Sequence, residues 1–186
     1  MINQSRNGEE ARALLDHVES VQRQTRAALG GFWFPLVLFG ALGLASVPAY
    51  FIGDGAVVAA FWAVAGVGGG VATGWYYHGR QQRLGVSQAA LPYVIVAGVL
   101  FVAAFVLPAL TTGRLQEVVS SFAVAAAYLV FAIFERSRVV AALAVVIAGG
   151  AVLSLASGLD HPGAVTAAVT GLSTLGVGMV ARRSSA

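Results

Sequence analysis

Val139–Gly158, VVAALAVVIAGGAVLSLASG, is twenty residues long and carries no charged side chain. At 1.5 Å rise per residue, a helix of about 20 residues crosses a hydrocarbon core roughly 30 Å thick. The apolar residues follow one another without alternation. A barrel strand would alternate polar and apolar side chains over about ten positions, so the stretch reads as a membrane helix.

Working outward, five more runs have the same character. They are Phe32–Phe51, Ala56–Tyr77, Leu91–Leu110, Leu115–Phe134 and Pro162–Val180. The Leu115–Phe134 run is the weakest of them, because Glu117 lies near its start and only Val118–Phe134 is free of charge. Six spans are retained, since five would leave the last two segments with the wrong charge bias.

Composition agrees. The chain is 58% hydrophobic and 10% charged, against about 25% charged in a typical soluble domain. Too few charges exist to cover a surface that faces water. All eleven cationic residues are Arg. The net charge of +3 and the basic pI do not point to nucleic acid, because the Arg residues cluster at the ends of apolar runs. With no Cys, thiolate catalysis and Cys-ligated metals are excluded.

Arg6, Arg12, Arg23, Arg26, Arg80, Arg83, Arg136, Arg138, Arg182 and Arg183 fall in segments that share one side. Arg114 alone falls on the other. The positive-inside rule then places both termini in the cytoplasm. Abundant Ala, Val, Gly and Arg without Lys suggests GC-rich coding, and the expected location is a bacterial cytoplasmic (inner) membrane. A cleavable secretory signal is not expected, because the first apolar run begins only near Gly31.

The expected fold is all-α: a six-helix transmembrane bundle of three hairpins over 31–181, preceded by a cytoplasmic amphipathic helix in 1–30 and followed by a cytoplasmic tail, 182–186. Short loops make consecutive helices antiparallel neighbours. Within the first segment, Ala11, Leu14, Val18, Val21, Thr25 and Ala28 recur at heptad spacing. Leu14, Val18 and Val21 form the candidate docking seam. The helix over 9–29 either lies on the membrane surface or binds a partner, and three weak heptads are too few for an isolated coiled coil.

Gly66, Gly70 and Gly74 line one face of the second span at every fourth residue. They predict close packing, either within the chain or between two copies. Aromatic triplets Phe32–Phe34 and Trp75–Tyr77 read as an interfacial belt. Pro92 and Pro162 suit first turns, while Pro48 and Pro108 bend outer helix ends. Thr166, Thr170, Ser173 and Thr174 share a face of the last span, either hydrogen-bonding within the bundle or lining a polar path.

Ionisable groups deep in a membrane mark function, and this chain has few. Glu117 is the candidate for an ion or proton role, with Arg114 its expected partner at i,i+3. Asp160 is expected to cap the last helix. Asp54, Asp160 and His161 are a weak metal candidate. No acid–base pair or activated nucleophile is visible, so the chain reads as non-enzymatic and without a cofactor.

Two functions fit. The first is an accessory or regulatory membrane subunit that docks a protein partner through its N-terminal helix. The second is a small transporter or channel, dimeric through the second span, for an apolar or amphipathic solute. A polar cavity would favour the second.

Overall fold

The computed structural model describes residues 14–15, 33–52, 55–84 and 91–183. Among the described residues every regular element is α-helical. From Trp33 onward they run α1 (Trp33–Ser46), α2 (Ala49–Ile52), α3 (Gly55–Leu84), α4 (Leu91–Ala109), α5 (Arg114–Glu135), α6 (Arg138–Ala156) and α7 (Pro162–Arg183).

Five stretches are long and apolar enough to cross a membrane: Trp33–Ile52, Gly55–Arg83, Arg114–Glu135, Arg138–Ala156 and Pro162–Arg183. The third expected span corresponds to α4, an apolar helix of 19 residues. The run with Glu117 near its start belongs to one of the five. Its charge sits in the first turn of α5, outside the long apolar stretch that follows.

Local chemistry sets the ends. Pro48 has no N–H to offer, and α1 stops at Ser46, whose buried hydroxyl donates to Gly43 O at 2.7 Å. The chain then resumes as the single turn α2, so Pro48 interrupts the helix where a bend was expected. The α5–α6 reversal takes two residues. Arg136 adopts the left-handed conformation at φ 50°, and Ser137 caps α6 by accepting from Val140 N at 3.4 Å. Pro162 opens α7 as expected, and its carbonyl accepts from the buried Ser154 hydroxyl at 2.8 Å, tying α6 to α7.

Outward-facing side chains are apolar. Val64, Trp75 and Leu153 are more than two-thirds exposed. A surface of this kind is stable against lipid and not against water.

Consecutive helices do touch, but the tightest packing joins the first long helix to the last. That contact, and the α5–α6 contact, dominate the interior. Leu36, Ala125, Leu143 and Ile147 form its apolar centre, drawn from α1, α5 and α6. The described helices form a core of α1, α5, α6 and α7 with α3 and α4 applied to it.

The α1–α7 crossing is built on glycines. A Cβ on Gly40 would lie 2.6 Å from Leu175 N, and one on Gly171 would lie 2.8 Å from Leu44 N and 2.9 Å from Gly40 O. Gly178 is pressed equally close to Val37 N, at 2.9 Å. Backbones meet here as only hydrogen-bearing Cα atoms allow.

Within the chain, the Gly66, Gly70 and Gly74 face is not the one that packs. A Cβ added at Gly70 or Gly74 would meet open space among the described residues, and at Gly66 the nearest atom is the ring of Trp62 from its own helix. Gly69, between them, is the glycine of α3 that meets α1, through Phe39 and Leu42 at 3.1–3.2 Å. The every-fourth-residue spacing holds along the helix, but α3 turns a different face toward the bundle.

Candidate functional site

One face of α5 carries Gln116, Glu117, Ser120, Ser121, Val124, Ala127, Tyr128, Phe131 and Glu135. The spacing of three or four residues keeps them in line. All nine border a cavity of about 730 Å³, within the range of roughly 300–1,000 Å³ seen for small-molecule sites. From Glu117 to Glu135 the helix rises about 27 Å at 1.5 Å per residue. The cavity thus runs nearly the length of a membrane-spanning helix.

Most of the remaining wall comes from the first span and from α3, α4 and α7. Leu36, Phe39 and Tyr50 border it from the first span, Val58 and Trp62 from α3, Leu100, Phe101 and Phe105 from α4, and Ala167, Thr170 and Thr174 from α7. Most of this surface is apolar. α3 and α4 scarcely touch each other, so the wall they form is parted. Ser120 holds α4 in place by donating to Ala104 O at 3.3 Å.

Polar groups concentrate at the Glu117 end. Glu117 is half-buried, and its Oε2 accepts from Gly163 N at 3.1 Å. The carboxylate of α5 thereby caps α7, satisfying an amide that its own helix cannot and sitting at the favourable end of the helix dipole. Asp160, the expected cap, does not fill this role. The Tyr50 ring packs over Gly163 so closely that a Cβ there would overlap it. Arg114 does not turn to Glu117. It donates to Gly158 O at 3.0 Å, across the α6–α7 turn where Gly158 stands at φ 72°. His161 stacks edge-on against Phe51, with centroids 5.0 Å apart.

The middle of the cavity holds a second polar feature. Thr166 and Ser173 return their hydroxyls to their own helix, to Pro162 O at 3.1 Å and Val169 O at 2.6 Å. Thr170 and Thr174 do not. Both Oγ1 atoms are buried without a hydrogen-bond partner, and Thr174 is only 1% exposed. Tyr128 faces Thr174 from α5, yet no hydrogen bond of good geometry joins them. A buried hydroxyl left unpartnered costs about 1–3 kcal/mol, so these two hydroxyls want a partner that the chain does not supply.

Beyond the cavity, aromatics gather at the ends of α1, α3 and α7. Phe34 stacks on Tyr76 at 4.2 Å and 11°, Trp33 meets Tyr76 edge-on at 5.8 Å, and Arg182 lies 5.3 Å over the Trp33 ring. Arg80 donates to the Tyr76 hydroxyl at 3.1 Å. The aromatic belt thus fastens the ends of α1, α3 and α7 together.

The chain matches no family model, no curated protein and no solved structure.

Of the residues singled out from sequence, Glu117 and Gly66 border the cavity, whereas Arg114, Gly70 and Gly74 do not. Leu14 is helical and exposed. Val18, Val21 and Asp54 lie outside the described residues. Asp160 and His161 stand at the cavity mouth. The four-residue hydroxyl face of the last span divides as described, half satisfied by its own backbone and half buried beside the cavity without a hydrogen-bond partner.

Sequence reasoning passed over two features. Ala164, Ala167, Gly171, Thr174 and Gly178, all buried, repeat at spacings of three and four along α7. This small-residue stripe marks the true packing face and was legible in principle. Tyr128 and Gln116 carried no signal, because a single polar residue in an apolar run announces neither a cavity nor its absence.

Proposed function

We propose that this chain is a six-span, non-enzymatic protein of the bacterial cytoplasmic membrane that binds an apolar or amphipathic molecule between its helices and passes it across or out of the bilayer. The observation that carries this is the cavity of about 730 Å³. Its walls are apolar over most of their depth, as a lipid-soluble guest requires, and polar groups gather where a head group would sit. Both termini are placed in the cytoplasm, since ten of the eleven Arg then lie inside. α4 serves as the sixth span. The parted wall between α3 and α4 is the route by which a guest enters sideways from lipid.

The test is binding of an alkylated, polarity-sensitive naphthalene fluorophore to protein in zwitterionic-lipid nanodiscs. Ala104→Trp places a large ring in the cavity and should lower its affinity at least tenfold while leaving thermal unfolding intact. Equal binding by wild type, variant and empty nanodiscs would refute the reading.

A second reading has one observation behind it. Leu14 is helical and about two-thirds exposed, as a member of an accessory subunit's docking seam would be before its partner binds. Deleting residues 1–29 should abolish recovery of a crosslinked partner, and unchanged recovery would refute it.

A further inference from the structure

The cavity's charge does not follow the chain's. The protein carries eleven Arg and a net charge of +3, yet the described residues that border the cavity include Glu117, Glu135, Asp160 and His161 and no Arg. Glu117 is the informative member, because it is half-buried and lies in line with the apolar wall. One of its oxygens is engaged by Gly163 N. Arg114, three residues away, has turned to Gly158 O and leaves the carboxylate's charge facing the cavity. The half-buried carboxylate keeps one oxygen beyond its bond to Gly163 N, and a cation in the cavity would be drawn to it.

The second observation is independent of charge. The Thr174 hydroxyl is buried, borders the same cavity and has no hydrogen-bond partner. Its level is eleven residues along α7 from Gly163, the amide that Glu117 caps. That is about 16 Å at 1.5 Å per residue. The space between the two polar points is walled by Val124, Phe101, Phe105 and Ala167.

We propose that the cavity binds a long-chain amine, its ammonium against Glu117 and a hydroxyl or carbonyl further along its chain against Thr174. This rests on the cavity being a binding site, as proposed above, and adds the chemical class of its occupant. An extended chain of twelve carbons bridges the two points. An anionic amphiphile would meet like charge at Glu117, and a neutral one would leave the carboxylate uncompensated.

The experiment is competition against the bound naphthalene fluorophore in nanodiscs of zwitterionic lipid, with empty nanodiscs correcting for partition into lipid. The competitors are dodecylamine, 12-amino-1-dodecanol, dodecanol and laurate. Dodecylamine should displace the fluorophore at a concentration at least tenfold below dodecanol or laurate, and 12-amino-1-dodecanol should act several-fold lower still. Glu117→Gln keeps an oxygen for Gly163 N and should reduce the amine preference to within about twofold. Thr174→Val should erase the advantage of the amino alcohol over the amine while leaving the amine's own preference intact.

The inference is overturned if dodecanol competes as well as dodecylamine, or if Glu117→Gln preserves the preference. In either case fluorophore binding that remains sensitive to Ala104→Trp leaves the cavity itself standing. If no amphiphile competes and Ala104→Trp changes nothing, both fall together.

Discussion

Gly171→Ala adds one methyl group inside the close α1–α7 crossing. The new Cβ would lie 2.8 Å from Leu44 N, 2.9 Å from Gly40 O and 2.9 Å from Leu44 Cγ. Two of these are backbone atoms and cannot rotate away. For the nearest contact to reach 3.4 Å, where ordinary van der Waals contact begins, the helices must part by roughly 0.6 Å. A gap of that order forfeits a quarter or more of the dispersion well for each facing pair of atoms. Dispersion is the principal attraction between helices in lipid, where no hydrophobic effect acts between them. Overpacking of this kind costs about 1–3 kcal/mol. Gly40→Ala should cost a similar amount. The double variant should cost less than the two together, because both methyls push open the same gap. The control is Gly70→Ala, where the added Cβ meets nothing among the described residues. There the better helix propensity of Ala, worth up to about 1 kcal/mol, leaves the protein neutral or slightly stabilised. Unfolding by dodecyl sulfate titration from mixed micelles, followed by circular dichroism, gives the free-energy differences. If Gly171→Ala and Gly70→Ala agree within about 0.5 kcal/mol, the crossing does not hold the bundle together and the account of its core is wrong.

Two further outcomes test the rest of the structure. Removing the cap that α5 supplies to α7, by Glu117→Ala, should destabilise the bundle by about 1–2 kcal/mol in the same titration, while Glu117→Gln, which can still accept from Gly163 N, loses less than half of that; equal losses would show that the hydrogen bond is immaterial. Because the chain has no native Cys, Leu159→Cys and Arg183→Cys can each be probed with a membrane-impermeant maleimide. Leu159→Cys should label only from the outer face and Arg183→Cys only in inverted vesicles, and labelling of both from one side would overturn the threading.

Much of the helical framework was readable along the chain, and the reason is energetic. Backbone amides in hydrocarbon must be satisfied locally, so a run such as Val139–Gly158 has few alternatives to a helix. Its observed bounds, Arg138–Ala156, differ from the expected ones by a residue or two. Turn residues were legible for the same kind of local reason, as Pro162 shows. The site was far less so. Glu117 stood out because a carboxylate at the edge of an apolar run is costly, but its expected partner was chosen by sequence distance. The fold offered Gly163 N, forty-six residues away, and took Arg114 elsewhere.

Local periodicity by itself determined that these residues form apolar helices, and where most of them begin and end, because each helix satisfies its own backbone. It could not determine which face of each helix meets a neighbour. In lipid an apolar side chain gains little from facing protein over facing acyl chains, so hydropathy does not distinguish the inner surface from the outer. Steric fit decides, and fit belongs to pairs of helices far apart in the chain. Gly40 and Gly171 came together in the α1–α7 crossing, Gly70 and Gly74 met nothing among the described residues, and a cavity bordered by Glu117 and Thr174 opened along α5 only when all the helices were in place.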